Sequence, residues 1–160
     1  SSDLAREVLE QAAERIRQEL ESLPEFKELK DRIEIQVTAE GLRIELLDTG
    51  EESFFGIGSA EVRPETVGTL KIITKQLLNL PNPVAIEGHT DSRPYTVGSY
   101  SNWELSSSRA NAARRIMEEA GLPPKRLEAL HGFGDARLRY PDKPLDARNR
   151  RVAIVVRHGS

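Results

Sequence analysis

The sequence predicts an α/β fold (an α+β sandwich): helices packed on a mixed β-sheet, preceded by an N-terminal helix. Two observations support this. Short segments that alternate apolar and polar residues are interleaved with longer segments whose apolar residues recur at helical spacing. The apolar run over residues 152–156 is continuous, which is typical of a strand buried on both faces. The expected order is α, β, β, α, β, α, β, β, which favours a sheet covered by helices.

The first helix is predicted over residues 3 to about 23, because no Gly or Pro interrupts the chain before Pro24. A narrow stripe of apolar residues recurs at every fourth position: Leu4, Val8, Ala12, Ile16 and Leu20. Such a helix packs weakly on its own domain, pairs with a partner helix, or continues a longer upstream helix. The sequence leaves these options open. We expect residues 1–30 to be a linker helix and residues 31–158 to be the folded domain.

A hairpin is predicted next, because residues 33–38 and 42–47 both alternate and a short polar link joins them. Phe54 and Phe55, with glycines after them, predict a buried anchor followed by an irregular loop.

The remaining predicted elements are two helices and three strands. They are a helix from Pro64 to Leu80, a strand from Val84, a helix from 102 to about 120, a strand over 127–133 and a final strand over 151–157. Ser101 and Glu104 predict a capping box at the start of the second of these helices.

The composition excludes several classes of function. The chain has 160 residues, 38% of them hydrophobic and 31% charged, which fits one folded domain. No stretch approaches the roughly 20 apolar residues that cross a bilayer. The 23 basic and 26 acidic residues give a net charge of −3, which argues against nucleic acid as a partner. The absence of Cys excludes disulfides, cysteine-ligated zinc and thiol catalysis.

Arg109 is the most informative residue, because it lies on the apolar stripe of the predicted helix 102–120. At about 100° per residue it is within ~40° of Leu105 and ~20° of Ile116. A buried guanidinium is costly unless its charge is paired, and its planar fork suits a carboxylate. Asp91 is one candidate partner, since it follows a strand at the kind of position where α/β sheets bind ligands.

The two residues allow two interpretations. In the first, Asp91 and Arg109 form a structural ion pair that fixes the loop. In the second, they hold a ligand that carries both an ammonium and a carboxylate. Asp91 then takes the ammonium and Arg109 the carboxylate, while Thr90 and Asn102 supply uncharged polar groups at the rim.

An ordered set of motifs resembles the OmpA-like peptidoglycan-binding domain over about residues 54–157. The motifs are Gly88-His89-Thr90-Asp91, Asn102-x-x-Leu105-Ser106-x-x-Arg109-Ala110, Gly121, Gly132-x-Gly134 and Asn149-Arg150-Arg151-Val152. The segments Ser53-Phe54-Phe55 and Asn102-Trp103-Glu104-Leu105-Ser106 are similar to the periplasmic part of the MotB family of flagellar motor stator subunits. The loop with Arg93-Pro94-Tyr95 departs from the Gly-rich turn that shorter outer-membrane members often carry.

This resemblance implies a mixed sheet with helices on it and non-catalytic binding of the diaminopimelate of peptidoglycan stem peptides. The matching positions are Asp91, Arg109, Thr90 and Asn102, with Arg150 expected to face the ligand rather than Arg151. The resemblance also implies a homodimer, the stator A subunit MotA as a partner of the full-length protein, and no cofactor. The domain would be the periplasmic part of an inner-membrane protein that anchors the stator to the cell wall.

Other functions stay open at this point. His89 and Asp91 could belong to a hydrolase or half a metal site, although the sequence has neither Gly-x-Ser-x-Gly nor His-Glu-x-x-His. We expect His89 to be a strand-end residue hydrogen-bonded to the backbone. A second alternative is another OmpA-like envelope anchor or protein–protein module. Trp103 could be its exposed contact, although we expect this side chain to pack against the core.

Overall fold

A computed structural model describes residues 2–49, 54–55, 62–96 and 98–159. All the predicted helices and strands are present. The elements are α1 (Ser2–Glu21), α2 (Phe26–Leu29), β1 (Ile33–Val37), β2 (Gly41–Leu47), α3 (Pro64–Leu77), β3 (Val84–His89), α4 (Asn102–Glu119), β4 (Leu127–Gly132) and β5 (Arg151–Arg157), with 3₁₀ turns at Pro124–Arg126 and Ala147–Asn149. The sequence pattern does not predict α2 or the 3₁₀ turns, because single turns are too short to establish a period.

The five strands form one mixed sheet in the order β1-β2-β5-β3-β4. β3 and β4 are parallel, and the other neighbours are antiparallel. This confirms the predicted fold class. β5 lies at the centre, so its continuous apolar run is buried on both faces. Val152, Ile154 and Val156 join the main core, while Ala153 and Val155 join a small cluster on the other face.

Two glycines let α4 lie directly on the sheet. A Cβ atom at Gly88 of β3 would be 2.0 Å from the carbonyl oxygen of Ser106, and one at Gly132 of β4 would be 2.0 Å from Ser107 Oγ. The start of α4 is fixed by the predicted capping box, in which the Ser101 N–H donates to Glu104 Oε1 over 2.7 Å. Together these contacts set the position of every side chain on α4 relative to the end of β3.

α1 packs on its own domain, and its buried residues share the main core with α3 and the sheet. The predicted stripe is wrong at its start, since Leu4 and Val8 are 63% and 44% exposed. A four-residue spacing advances by about 40° per step, so Leu4 lies about 160° around the helix from Leu20. Leu9 and Ala13 fill the face instead. The domain boundary near residue 30 stays a prediction.

The aromatic anchor is confirmed, because Phe54 and Phe55 are 1% and 3% exposed. The irregular loop expected after them, at residues 56–61, lies outside the described residues. The expectation for Trp103 is wrong, because this residue is 52% exposed. Among the described residues, no helix is long and apolar enough to cross a bilayer.

Candidate functional site

The ends of three strands meet at one edge of the sheet. The last residues of β2 and β3 both lie opposite the first residue of β5. Asp48 directly follows β2, Asp91 follows β3 after Thr90, and Arg150 directly precedes β5. Strand register alone therefore brings two carboxylates and a guanidinium together.

Arg150 bridges the two carboxylates. Its Nη1 donates to Asp91 Oδ2 over 2.5 Å and its Nε donates to Asp48 Oδ2 over 3.1 Å. The Asp48 N–H donates to the Arg150 carbonyl oxygen over 3.0 Å, which holds the end of β2 beside the start of β5. Burial lowers the pKa of Arg150, but the hydrogen bonds to Asp91 and Asp48 outweigh it and the pKa is raised.

Asp91 is 4% exposed, and each of its carboxylate oxygens accepts from one donor among the described residues. Oδ2 accepts from Arg150, and Oδ1 accepts from the backbone N–H of Arg93 over 2.9 Å. A carboxylate oxygen has two lone pairs, so both oxygens can accept a further hydrogen bond. Asp91 can therefore bind a cationic donor without giving up its present contacts.

Arg109 is buried on the inner face of α4, as predicted, with 3% of its surface exposed. Its guanidinium carbon lies 5.5 Å from the centroid of the Phe55 ring. Burial lowers the pKa of Arg109, and the negative charges of Asp48 and then Asp91 oppose that effect. The ion pair of Asp91 is made by Arg150, so a direct structural pair between Asp91 and Arg109 is the wrong interpretation.

Thr90 and Asn102 order the backbone beside Asp91. Thr90 is 2% exposed, and its N–H donates to the Gly134 carbonyl oxygen over 2.8 Å. Its hydroxyl donates to the carbonyl oxygen of Asp91 over 2.9 Å. Asn102 Nδ2 donates to the Arg93 carbonyl oxygen over 3.1 Å, which ties the start of α4 to the loop after β3.

His89 and Arg151 lie on the opposite face of the sheet. Arg151 Nε donates to Glu45 Oε2 over 2.9 Å, so Arg150 is the arginine of this segment that reaches the site. His89 Nε2 lies 3.1 Å from Glu87 Oε1, and its ring stacks on Phe133. His89 ends β3, as predicted, but its Nδ1 has no hydrogen-bond partner among the described residues, so the expected hydrogen bond to the backbone is wrong. The described part of the chain has no cluster of His, Asp and Glu that could hold a metal ion.

A cavity of about 480 Å³ opens at this edge of the sheet. All five predicted site residues line it: Thr90, Asp91, Asn102, Arg109 and Arg150. The wall is completed by Arg93, Pro94, Tyr95, Leu105, Leu145 and Ala147. The volume and the mixture of apolar wall with a few charged groups fit a small polar ligand.

Asp48 and Leu145 are two residues of this region that were not predicted from the sequence. Asp48 follows its strand just as Asp91 follows β3, which is a usable signal. Its importance depends on β2 lying beside β5, however, and sequence order does not give that pairing. Leu145 is 59% exposed in a charged loop, where no periodicity singles it out.

Comparisons with known proteins agree with this architecture. Residues 54–151 match the OmpA family. Motility protein B of Escherichia coli K12 is 39% identical over 140 residues, which are 86% of this chain and 45% of that protein. The peptidoglycan-associated lipoprotein of Pseudomonas aeruginosa is 33% identical over 103 residues, which are 63% of this chain and 59% of that protein.

Among solved structures, the crystal structure of a MotB-like protein from Desulfovibrio vulgaris is 25% identical. It superposes with a TM-score of 0.72 over 98% of this chain and 99% of that one. The chain spans less than half the length of the E. coli protein. The family match covers more than half of the chain and includes every residue that lines the cavity, so this chain belongs to the OmpA family.

Proposed function

We propose that the cavity binds peptidoglycan without cleaving it, and that the diaminopimelate residue of the stem peptide enters it. The side-chain end of diaminopimelate carries an ammonium and a carboxylate on one carbon. Asp91 accepts hydrogen bonds from the ammonium, and Arg109 donates to the carboxylate. The observation that carries this proposal is the presence of both side chains, each nearly buried, on the wall of one cavity.

The other predicted residues support the same ligand. Arg150 forms an ion pair with Asp91 and adds a second guanidinium to the wall. Thr90 and Asn102 fix the backbone on either side of the carboxylate. Preorganised contacts of this kind reduce the entropy lost on binding.

Binding without catalysis fits the residues of the wall. Within the described part of the chain, the cavity is lined by no histidine, and its one lining carboxylate is ion-paired. Histidine is the residue used most often for general acid–base catalysis. The relatives point the same way, because they are named for motility and for association with peptidoglycan rather than for a reaction.

The similarity to Motility protein B supports a role in the flagellar motor. In this proposal the chain is the periplasmic domain of a homodimeric inner-membrane protein that works with the stator A subunit MotA. By holding peptidoglycan, the domain anchors the stator to the cell wall. The 39% identity over 86% of the chain is the main support for this assignment.

A pull-down with purified diaminopimelate-type sacculi tests the proposal. We expect wild-type protein to cosediment with sacculi, and Asp91→Asn and Arg109→Gln to remain in the supernatant. Arg114→Gln is the matched control, since Arg114 is on the same helix but pairs with Glu118 outside the cavity. Circular dichroism of each sample verifies folding. Retention of binding by both folded cavity variants would contradict the proposal.

A second candidate function is a protein–protein module of the cell envelope, and the exposed side chain of Trp103 favours it. Large exposed aromatic residues are enriched in protein interfaces. This function predicts that Trp103→Ala abolishes capture of an envelope protein and that wild type does not bind purified sacculi. Sacculus binding that survives Trp103→Ala would favour the cavity.

A further inference from the structure

Arg93 lies at the rim of the cavity with its backbone held on both sides. Its N–H donates to Asp91 Oδ1 over 2.9 Å, and its carbonyl oxygen accepts from Asn102 Nδ2 over 3.1 Å. The N–H of the preceding residue, Ser92, donates to the Pro144 carbonyl oxygen over 2.9 Å. Three hydrogen bonds therefore fix the base of the Arg93 side chain beside the ligand-binding carboxylate.

The side chain itself is exposed and lines the cavity. Among residues 2–49, 54–55, 62–96 and 98–159, the Arg93 guanidinium has no carboxylate within ion-pair distance. Arg150, in contrast, has two. The backbone of such an arginine is already fixed and its guanidinium has no carboxylate partner. It can therefore bind an anion with little loss of backbone entropy.

The charged side chains on the described part of the wall suit a ligand with more than one anionic group. Among the described residues that line the cavity, Arg93, Arg109 and Arg150 carry guanidiniums and Asp91 carries a carboxylate. Arg150 is paired with Asp91 and Asp48, and Arg109 is the guanidinium proposed to meet the carboxylate of the zwitterionic end of the ligand. The exposed guanidinium of Arg93 is therefore positioned for a second carboxylate.

We propose that Arg93 binds a second carboxylate of the stem peptide and so makes the site selective for stem peptides that are not amidated. This inference rests on the proposed function. A stem tripeptide offers two such groups close to the diaminopimelate side chain: the free α-carboxylate of the D-glutamate that precedes it, and its own terminal α-carboxylate. Both present the same chemistry to the guanidinium.

Calorimetric titration with three muramyl tripeptides distinguishes these sources. One carries both carboxylates, one has the D-glutamate α-carboxylate amidated, and one has the diaminopimelate α-carboxylate amidated. We expect wild type to bind one of the two amides about 3- to 10-fold more weakly than the free acid, the range of a partly exposed ion pair, with the difference reduced by added salt. Arg93→Gln should weaken binding of the free acid by the same factor and leave that amide unaffected.

Arg115→Gln serves as the matched control, because Arg115 is an exposed arginine of α4 that does not line the cavity. If wild type binds all three peptides equally, or if Arg93→Gln weakens all three alike, the inference about Arg93 is overturned while the proposed function stands. If wild type binds none of the three, the proposed function fails and the inference fails with it.

Discussion

Arg150 donates to Asp91 over 2.5 Å, and this contact joins the residue before β5 to the loop after β3. The same guanidinium holds Asp48 at the end of β2. The cavity is therefore built on an ion-paired cluster that exists before any ligand enters. In the proposed function, Asp91 binds the ligand through its remaining lone pairs, and Arg109 binds it from the inner face of α4.

Arg150→Gln should destabilise the fold as well as weaken binding. The substitution leaves Asp48 and Asp91, both nearly buried, without their shared guanidinium, and breaking a buried pair costs on the order of 3 kcal/mol. Urea unfolding measures the loss. The double variant Arg150→Gln/Asp91→Asn should lose less than the sum of the two single changes, because the unpaired charge of Asp91 is removed. Strict additivity would show that the two residues are not coupled.

Gly88→Ala should disrupt the packing of α4 on β3. The added Cβ atom would meet the Ser106 carbonyl oxygen at 2.0 Å, so the helix must shift, at a cost of about 1–3 kcal/mol or more. Gly68→Ala is the control, because Gly68 lies in α3 with open space around it. There alanine should stabilise the helix by up to ~1 kcal/mol. Thermal unfolding of the two variants should therefore move in opposite directions.

Stability should fall as the solution becomes acidic. Burial raises the pKa of Glu87, but hydrogen bonds from His89 and Arg43 outweigh it and lower the pKa to about 2. Since this pKa lies below the ordinary value of 4.5, the stabilisation by Glu87 is present above pH 4.5 and is lost as the pH falls towards about 2. Burial also lowers the pKa of His89 below 6.5, so its stabilisation begins to decline below pH 6.5.

Melting temperatures measured at pH 7, 5 and 3 test this dependence. Glu87→Gln should be less stable than wild type at pH 7 and should show a smaller drop between pH 5 and pH 3. An unchanged drop in the variant would assign the acid sensitivity to other carboxylates.

Leu9→Ala should destabilise the protein by about 2–4 kcal/mol, because this side chain of α1 is 1% exposed in the main core. Val8→Ala, at the neighbouring position, should cost less than ~0.5 kcal/mol, since Val8 is 44% exposed. Equilibrium unfolding of both variants compares the two faces of α1. Equal effects would mean that α1 is not packed as described.

Much of the fold follows from periodicity. The alternation in β1 and β2, the continuous run of β5 and the capping box at Ser101 each correspond to an observed element. The buried face of α1 was harder to predict, because residues spaced by four rotate gradually around a straight helix. Ile16 therefore belongs both to the predicted stripe, with Val8, and to the buried face observed, with Leu9. The core, rather than the sequence of α1 alone, selects the face that holds Leu9.

The site was only partly predictable. Arg109 could be identified because a charged residue on an apolar stripe conflicts with its surroundings, and Asp91 because it follows a strand. The role of Arg150 as a bridge between Asp48 and Asp91 depends on β2 and β3 both pairing with β5. That arrangement is a property of the sheet order, which no local pattern encodes.

In the proposed function, Asp91 and Arg109 together bind the zwitterionic end of diaminopimelate. The most direct test is calorimetric titration of wild type and Arg109→Gln with two muramyl tripeptides, one with diaminopimelate and one with lysine at the third position. Lysine keeps the ammonium but lacks the carboxylate. Wild type should bind the diaminopimelate peptide at least about tenfold more tightly, the effect of a charge-assisted hydrogen bond, and folded Arg109→Gln should lose that preference. Equal affinity of wild type for the two peptides would contradict the account.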